Sequence, residues 1–329
     1  MTYPKLLADI GGTNARFALE TAASQLHAVQ VLACADYPTL SDAIRSYLAS
    51  TEVAECLSTG AAPIRQAGIA IANPVTGDVV QMTNHHWSFS ISGVRDEFGF
   101  QSLRVVNDFT ALAMSLPFLS EKQKFQVGGG AALDKAALGL LGAGTGLGVS
   151  GLLPCGDSWI ALDSEGGHAT FAPSNECEMD ILRFAWREFP HVSAERFLSG
   201  AGLNLIYRAL AARQGQTADA LEAPEILKRG MAQECALCME VLERFCDMLG
   251  TAASSLAVTL GARGGIYIGG GIVPRLGDYL RQSGFRRRFE SKGRFSAYLS
   301  QVPVYVITEA YPAFIGLSSL LRTPATSTA

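Results

Sequence analysis

A strand–glycine turn–strand unit occurs twice in this chain, and it constrains the fold more than any other feature. The first copy spans residues 5–20, with Gly-Gly-Thr-Asn in its turn at residues 11–14. The second copy spans residues 137–153, with Gly-Ala-Gly-Thr-Gly at residues 142–146. The first turn joins two strands instead of a strand and a helix, which argues against a dinucleotide-binding fold at that loop. The duplication predicts two similar halves around a cleft.

The length and charge of the chain limit its class. At 329 residues it is too long for one ordinary core, which predicts two domains. Hydrophobic residues make up 48% and charged residues 17%, as is typical of a compact soluble enzyme. The net charge of −4 gives no electrostatic reason to expect nucleic acid or an anionic membrane as a partner. Arg286, Arg287 and Arg288 are a local exception, which we interpret as a solvated helix face.

The cysteines indicate a reducing compartment. There are seven of them, an odd number, scattered along the chain. Residues 1–5 lead directly into a strand, without the pattern of a signal peptide. These features predict free thiols in the cytoplasm. The only C-x-x-C, formed by Cys235 and Cys238, lies inside a long helical pattern, without a second pair or clustered histidines, and this context disfavours a zinc or redox role.

One uncharged run, residues 136–156, is long enough to raise the question of a membrane span. It contains seven glycines and a proline, which would make a poor spanning helix. We therefore predict two strands around a glycine turn in this region.

Helical patterns occur elsewhere in the chain. Residues 39–42 have the capping-box pattern that opens an amphipathic helix. Residues 174–260 are mostly helical in pattern, with Ser174 and Ser193 predicted as N-caps. Residues 312–321 predict a closing helix that begins with a proline.

The apolar run at residues 103–106 predicts a buried strand that ends on Asn107 and Asp108, before an apolar helix pattern. This places a carboxylate at the carboxyl end of a strand, where ligands bind in open α/β sheets. The alternative is a turn in which Asp108 is merely the N-cap of the helix. Glycine loops on both sides of this segment in the sequence favour the functional interpretation.

Three glycine loops suit a nucleotide, because backbone N–H groups can approach phosphate oxygens where no Cβ intervenes. Asp9 and the loop at residues 11–13 offer a carboxylate for Mg²⁺ and a hydroxyl with amides for phosphate. The loop at residues 144–146 is suited to hold phosphate from the opposite side, and the loop at residues 269–271 to pack against a nucleoside. A G-x-G-x-x-G match at residues 146–151 lacks the following helix, so we attribute it to chance.

Seven motifs follow one another along the chain. They are Asp9-Ile-Gly-Gly-Thr-Asn-Ala-Arg16, Thr83-Asn84-His85 with Trp87, Asn107-Asp108-Phe109-Thr110, Gly142-Ala-Gly-Thr-Gly-Leu-Gly148, Glu165-Gly-Gly-His168, His191-Val-Ser-Ala-Glu195-Arg196 and Gly269-Gly-Gly-Ile-Val-Pro-Arg275. In this order they resemble the bacterial glucokinases of the hexokinase–actin–heat-shock ATPase superfamily, over residues 6–322. The chain resembles the zinc-containing sugar kinases less. Those proteins carry a cysteine cluster after the Glu-x-x-His motif, whereas this chain has only Cys177 nearby.

The resemblance implies an α/β protein of two ribonuclease-H-like, actin-like ATPase domains flanking a cleft. The small α/β domain would comprise residues 1–117 and 310–329, and the large α/β domain residues 118–309. Glucose would sit between the domains, with ATP beside it.

The resemblance also implies roles for individual residues. Asp108 is the implied catalytic base. The implied sugar ligands are Asn84, Asn107, Asp108, Glu165, His168 and Glu195. The implied nucleotide-binding residues are Ala8, Asp9, Ile10, Gly11, Gly12, Thr13, Asn14, Gly144, Thr145, Gly146, Gly269, Gly270 and Gly271, with Asp9 as a ligand of the Mg²⁺ that accompanies the nucleotide.

Structural alternatives remain for several of these side chains. Glu195 follows Ser193 and could complement a helix N-terminus. His168 could be a core histidine, although we interpret it as a sugar ligand and not as a metal ligand. Asn84 could simply close a turn, and we interpret His85 as a loop residue.

The sequence therefore predicts an ATP-dependent glucokinase that transfers the γ-phosphoryl group to the 6-hydroxyl of glucose. ATP and Mg²⁺ are the predicted cofactors. The alternatives are another hexose kinase of the superfamily, a sugar-sensing regulator and an actin-like ATPase without a sugar. A DNA-binding helix-turn-helix, which would favour the regulator, does not precede Lys5. Since relatives are commonly homodimers, we expect a cytoplasmic homodimer in glycolysis, with neither nucleic acid nor membrane as a partner.

Overall fold

A computed structural model of the chain describes residues 3–57 and 62–322. It divides into two compact units, Met1–Leu119 with Ala310–Ala329 and Ser120–Glu309. The domain limits predicted from the sequence, 1–117 with 310–329 and 118–309, stay a prediction. Residues 1, 2, 58–61 and 323–329 of the predicted small domain lie outside the described residues.

The first unit is built on a sheet with strand order β3-β2-β1-β4-β7. The strands of the whole unit, in chain order, are β1 (Lys5–Ile10), β2 (Asn14–Ala22), β3 (Gln25–Ala33), β4 (Gln66–Ile71), β5 (Val79–Gln81), β6 (Ser88–Ser90) and β7 (Ser102–Asn107). Its first helices are α1 (Leu40–Leu48), α2 (Thr51–Leu57), α3 (Ile91–Glu97) and α4 (Asp108–Ser115). The predicted capping box opens α1, because the Thr39 side chain accepts a hydrogen bond from the Asp42 backbone N–H at 3.1 Å.

The second unit is built on a sheet with strand order β11-β10-β9-β12-β13-β8. Its strands are β8 (Lys124–Gln126), β9 (Leu138–Ala143), β10 (Leu147–Cys155), β11 (Ser158–Leu162), β12 (Gly265–Gly269) and β13 (Val304–Ile307). Its helices are α5 (Glu176–Ala185), α6 (Gly200–Arg213), α7 (Ala223–Met231), α8 (Ala236–Leu260), α9 (Val273–Leu276), α10 (Asp278–Gln282), α11 (Phe285–Glu290) and α12 (Ser296–Ser300).

The two sheets share one topology. In the first, β1 pairs antiparallel with β2 and parallel with β4, and β4 pairs parallel with β7. In the second, β9 pairs antiparallel with β10 and parallel with β12, and β12 pairs parallel with β13. The duplication predicted from the two glycine turns is therefore confirmed, and so is the α/β class.

The uncharged run at residues 136–156 forms β9, a turn and β10, as predicted. Both strands lie in the interior of the sheet, which explains why the run is apolar. Within residues 3–57 and 62–322, the helices lack the combination of length and apolar character that crossing a bilayer requires.

The last helix, α13 (Pro312–Arg322), returns to the first unit and packs against α4, β1 and β4. Its apolar side chains Phe314 and Leu317 share a core cluster with Leu7 of β1. The helix approaches α4 closely at Gly316, where an added Cβ would overlap the Ala111 carbonyl oxygen. Because Asp108 lies at the start of α4, this contact fixes the helix that carries it.

A buried ion pair also anchors α13. The Lys5 ammonium lies 3.3 Å from the Glu20 carboxylate, and both side chains are almost fully buried. The Ser318 hydroxyl of α13 donates a hydrogen bond of 2.6 Å to the same carboxylate. The pair is therefore part of the docking site of the closing helix, since a buried charge needs such partners.

Three predicted helix starts need correction. The N-cap of α5 is Asn175 and not Ser174, because the Asn175 side chain accepts the Glu178 backbone N–H at 2.9 Å. Ser193 precedes a short 3₁₀ turn, Ala194–Arg196, instead of an α-helix. Cys235 was placed inside a helix, but α8 begins at Ala236 and Cys235 is its N-cap.

The prediction that Arg286, Arg287 and Arg288 form a solvated helix face is wrong for two of the three. The Arg286 side chain is 12% exposed and donates to the backbone carbonyl of Val302 at 2.9 Å. The Arg288 side chain is 15% exposed and pairs with the buried carboxylate of Glu178. Only Arg287 of these three is largely exposed, at 82%. Carbonyl and carboxylate partners far away in the sequence allow the other two guanidinium groups to be buried.

Gly316→Ala should lower the free energy of unfolding by about 1–3 kcal/mol, the usual range for overpacking a core. Alanine favours a helix interior by about 1 kcal/mol over glycine, so the steric overlap with Ala111 is expected to win. Urea denaturation would measure the change. Gly77→Ala is the matched control, because a Cβ there meets open space, and it should change the stability by about 0.5 kcal/mol or less. Equal stability of the two variants would contradict the close packing of α13 on α4.

Candidate functional site

The parallel strands β1, β4 and β7 end at one edge of the first sheet. Ile10 at the end of β1 is in register with Ile71 of β4, which in turn is in register with Asn107 of β7. The loops that follow these strands therefore start side by side. Ligands bind at such carboxyl edges in α/β sheets, so this edge is the candidate site of the first unit.

Asn107, and not Asp108, is the N-cap of α4. The Asn107 Oδ1 atom accepts hydrogen bonds from the backbone N–H groups of Phe109 at 2.9 Å and Thr110 at 3.4 Å. The alternative in which Asp108 serves as the cap is therefore wrong. The Asp108 carboxylate is partly buried, and its Oδ1 shares the Phe109 N–H at 2.9 Å. Capping thus does not account for an aspartate at position 108.

Burial raises the pKa of Asp108 to about 6. The hydrogen bond from the Phe109 N–H opposes this shift, and the negative charge of Asp9 adds to it. Burial also raises the pKa of Asp9, but there the Arg16 guanidinium, 3.1 Å from Oδ2, counters the effect. Two carboxyl groups in one unit thus have different electrostatic surroundings, as is common where they have different functions.

The first glycine loop leads from β1 into β2. The Gly11 N–H donates to the Asn14 carbonyl at 2.9 Å, and the Cys34 N–H donates to the Thr13 carbonyl at 2.9 Å. A Cβ on Gly12 would lie 3.1 Å from the Cβ of Asn84, so the loop and the Asn84 segment are in close contact. The predicted phosphate loop and a predicted sugar ligand are therefore neighbours in this unit.

Two predicted nucleotide-binding residues lie in the core instead of at the surface of this loop. Ala8 and Ile10 are both completely buried within β1. Their side chains hold the strand on which Asp9 is placed.

Asn73 lies in the candidate site, although the sequence does not single it out. Its Oδ1 accepts hydrogen bonds from the Thr83 N–H at 3.0 Å and the Thr83 hydroxyl at 2.5 Å. Its backbone carbonyl accepts from the Asn107 side-chain amide at 3.4 Å. Asn73 thus connects the segment that carries Asn84 to the cap of α4. The sequence signal is only an asparagine and a proline after an apolar run, a pattern that is typical of the end of a strand.

In the second unit, Glu165, His168 and Glu195 lie close together, as predicted. The two His168 ring nitrogens are 4.0 Å from Glu165 Oε2 and 3.9 Å from Glu195 Oε1. His168 is 62% exposed, so the alternative of a core histidine is wrong. The Glu195 carboxylate accepts the Leu147 backbone N–H at 2.9 Å, a contact outside its own helical turn. The cluster offers hydrogen-bond donors and acceptors of the kind that hydroxyl groups need.

The other two glycine loops lie side by side in the second unit. A Cβ on Gly144 would lie 3.7 Å from the backbone nitrogen of Gly271, and the Ile272 N–H donates to the Ala143 carbonyl at 3.1 Å. Gly270 has a φ of +84°, a conformation that favours glycine. A Cβ on Gly146 would lie 2.5 Å from Glu195 Oε2, so this loop also contacts the cluster.

A cavity of about 360 Å³ opens beside Thr145 in the same unit. The Gly200 N–H at the start of α6 donates to the Gly144 carbonyl at 2.8 Å, which holds the helix against the loop. The cavity is lined by Thr145, Phe189, Glu195, Arg196, Ser199, Ala201, Asn204, Leu205, Arg208 and Glu222. Polar groups beside a glycine loop suit a phosphorylated ligand.

The structure thus assembles the predicted residues in two groups. The first unit brings the loop at residues 11–14 together with Asn84, and places Asn107 and Asp108 at the same sheet edge. The second unit brings the residue 144–146 loop together with the Glu195 cluster and the residue 269–271 loop.

Comparisons with known proteins identify the family of this chain. The family model described as Glucokinase matches residues 6–324. The bifunctional protein glk of Burkholderia pseudomallei (strain 1710b) is 55% identical over 97% of this chain and 48% of that protein. The chain therefore spans about half the length of this relative. The glucokinase of Chromobacterium violaceum is 54% identical over 97% of this chain and 89% of its own length.

A solved structure extends the likeness to three dimensions. Glucokinase from an Antarctic psychrotroph has a TM-score of 0.89 and 38% identity, covering 98% of this chain and 99% of that one. The predicted actin-like ATPase fold and the resemblance seen in the motifs are both confirmed. The chain belongs to the glucokinase family.

Proposed function

We propose that this protein transfers the γ-phosphoryl group of ATP to the 6-hydroxyl of glucose, which gives glucose 6-phosphate and ADP. Membership of the glucokinase family supports this function. The observation that carries it is Asp108, a partly buried carboxylate at the end of β7 with a pKa of about 6. Turnover with MgATP across a panel of hexoses, followed by a coupled assay for ADP, tests the proposal.

Asp108 is proposed to accept the proton of the 6-hydroxyl. A general base works best when its pKa lies near the working pH, and burial raises the pKa of Asp108 towards that range. At neutral pH a group with a pKa of about 6 is mostly ionised, so it can still accept the proton. The carboxylate would also align the hydroxyl, because phosphoryl transfer depends mainly on positioning and charge stabilisation.

Glucose hydroxyls are proposed to bind Glu165, His168 and Glu195 in the second unit, and Asn84 and Asn107 in the first. The cap of α4 occupies the Asn107 Oδ1 atom and the Asn73 carbonyl accepts one side-chain N–H of Asn107, which leaves its second N–H as a donor. Glu195 Oε2 holds the Leu147 N–H, so the second oxygen, Oε1, faces His168. Asn107 thus keeps a donor, and Glu195 an acceptor, that can bind a hydroxyl group.

The phosphates of ATP are proposed to bind along the loops at residues 11–14, 144–146 and 269–271. The Asp9 carboxylate beside the first loop fits Mg²⁺, which prefers oxygen ligands and keeps several waters. Arg16 lies 3.1 Å from Asp9, opposes the effect of burial on the pKa of that carboxyl group and would hold it in place. The metal would supply neutralisation of the phosphate charge.

We also propose that the enzyme works in the cytoplasm as a homodimer. The seven cysteines all lie within the described residues and are free thiols, which supports a reducing compartment. The dimer follows from the resemblance, and sedimentation analysis of the purified protein would test it.

Asp108→Asn should lower kcat by roughly 10²–10⁴-fold, the usual range for the loss of a general base. Glucose affinity should change much less, because the amide can still hydrogen-bond the hydroxyl. Steady-state kinetics together with glucose binding by isothermal calorimetry would measure both. Asp96→Asn, at an exposed aspartate of the same unit, is the control and should have normal kcat. A near-normal kcat for Asp108→Asn would mean that the base lies elsewhere.

The same variant should be more stable than the native protein at neutral pH. The pKa of Asp108 is about 6 in the folded state against an ordinary value of 3.8 for an aspartate, so the folded state binds the proton more tightly. Stability is therefore lost as the pH rises from about 4 to about 6, by about 3 kcal/mol at most. Asp108→Asn removes this loss. The Tm of the variant should therefore equal that of the native protein near pH 4 and exceed it most above pH 7.

Asp78→Asn provides a control of opposite sign. Hydrogen bonds from the Ser90 hydroxyl and then the Ser92 N–H lower the pKa of Asp78, so its ionised form stabilises the folded state. This variant should therefore have a lower Tm than the native protein at pH 7, with a smaller difference in acid. If Asp108→Asn behaved like Asp78→Asn, the electrostatic account of Asp108 would be wrong.

Gly146→Ala should weaken glucose binding by about 1–3 kcal/mol, the usual cost when a polar group loses its partner. The new Cβ would lie 2.5 Å from Glu195 Oε2 and would displace that carboxylate. Binding is measured without nucleotide, so that an effect on phosphate binding does not contribute. Gly129→Ala, where a Cβ meets open space, is the control and should bind glucose normally. Normal glucose binding by Gly146→Ala would argue against Glu195 as a sugar ligand.

A further inference from the structure

A pair of cysteines lies at the start of the long helix α8. Cys235 is the N-cap, and its sulfur accepts the backbone N–H of Cys238 at 3.4 Å. Residues three positions apart share one face of a helix, so the two thiols lie on the same side of the first turn. The Cys235 sulfur is thus directed towards the first turn of the helix, where Cys238 lies.

The two thiols differ in exposure. Cys235 is partly exposed, whereas Cys238 is completely buried in the core of the second unit. A reagent from solvent therefore reaches Cys235 more easily than Cys238. This is the arrangement of an attacking thiol and a shielded resolving thiol.

The environment of Cys235 favours its thiolate. Burial raises its pKa, but hydrogen bonds from the Cys238 N–H and side chain and the charge of Arg229 outweigh this effect, so the pKa is lowered. Burial and the hydrogen bond to Cys235 raise the pKa of Cys238 to about 12. The start of a 25-residue helix adds a partial positive charge beside Cys235. A thiolate is the form of cysteine that attacks a disulfide.

We propose that Cys235 and Cys238 form a reversible intramolecular disulfide by exchange with a small disulfide such as oxidised glutathione. The Cys235 thiolate attacks one glutathione sulfur, the glutathione S–S bond breaks, and one glutathione leaves as a thiolate. Cys238 gives its proton to solvent and attacks the Cys235 sulfur, which releases the second glutathione. The protein loses two electrons and two protons, and oxidised glutathione becomes two reduced molecules.

This inference is independent of the proposed function. Neither cysteine belongs to the sugar cluster or to the glycine loops described above. The sequence disfavours a redox role, because the C-x-x-C lies in a long helical pattern without a second cysteine pair or clustered histidines. The new observation is the N-cap position of Cys235, whose extended backbone (φ −140°, ψ 114°) accompanies the contact of its sulfur with the Cys238 N–H.

The test uses the full chain in buffers with a series of ratios of reduced to oxidised glutathione. After acid quenching and alkylation, peptide mass analysis should find a Cys235–Cys238 disulfide, with the loss of two hydrogen atoms, that dithiothreitol reverses. Cys238→Ser should instead retain one glutathione on Cys235. Cys235→Ser should lose both products, and it should still fold, because serine is also a good N-cap.

Cys155→Ser is the control, because Cys155 is an exposed cysteine elsewhere in the same unit. It should form the Cys235–Cys238 disulfide at the same glutathione ratio as the native protein. Two results would overturn the proposal. One is that both thiols of the pair stay reduced at ratios where Cys155 already carries glutathione. The other is that Cys238→Ser accumulates glutathione on Cys235 no faster than on Cys155.

Discussion

The hydrogen bonds from the Phe109 and Thr110 N–H groups to the Asn107 side chain determine the geometry of the first unit's site. They place the boundary between β7 and α4 at Asn107. Asp108 is therefore not the cap of the helix. The Asp108 carboxyl group is then held in a partly buried position where its ionisation is costly. Asp9 lies on β1 of the same sheet, and its carboxylate pairs with the Arg16 guanidinium. The difference between the two carboxyl groups arises from these local contacts.

Much of the fold could be predicted because its signals are local. The buried strands and the glycine turns at residues 11–14 and 142–146 are visible in short stretches, and the sheets have the duplicated topology that they predict. The predictions were wrong where contacts with residues distant in the sequence determine whether a side chain is buried. Arg286 is buried because the carbonyls near Val302 accept its N–H groups, and Arg288 because Glu178 pairs with it. A charged run with such partners looks the same in the sequence as one without them.

The same difference between local signals and long-range contacts applies to the candidate site. The pattern of a strand ending on Asn107 and Asp108 gave the position of the carboxylate, but it left the choice of cap open, because either residue type caps well. Asn73 was missed because its partner, Thr83, lies ten residues away in a segment without periodic structure. The contact of Glu195 with the Leu147 N–H spans 48 residues and has no local signal. Hydrogen bonds between loops are thus the part of a site that a sequence predicts least well.

The packing of α13 on α4 also sets the order in which the growing chain can mature on the ribosome. Strands β1 to β7 and helix α4 emerge first, but the sheet face that contains Leu7 lacks the cover of α13 until Phe314 and Leu317 have been made. The second unit, which is continuous in sequence, can complete its core during that interval. At about 5–20 residues per second, the wait is on the order of ten to forty seconds. The helix that carries Asp108 therefore acquires the support of α13 only after the whole second unit has been synthesised.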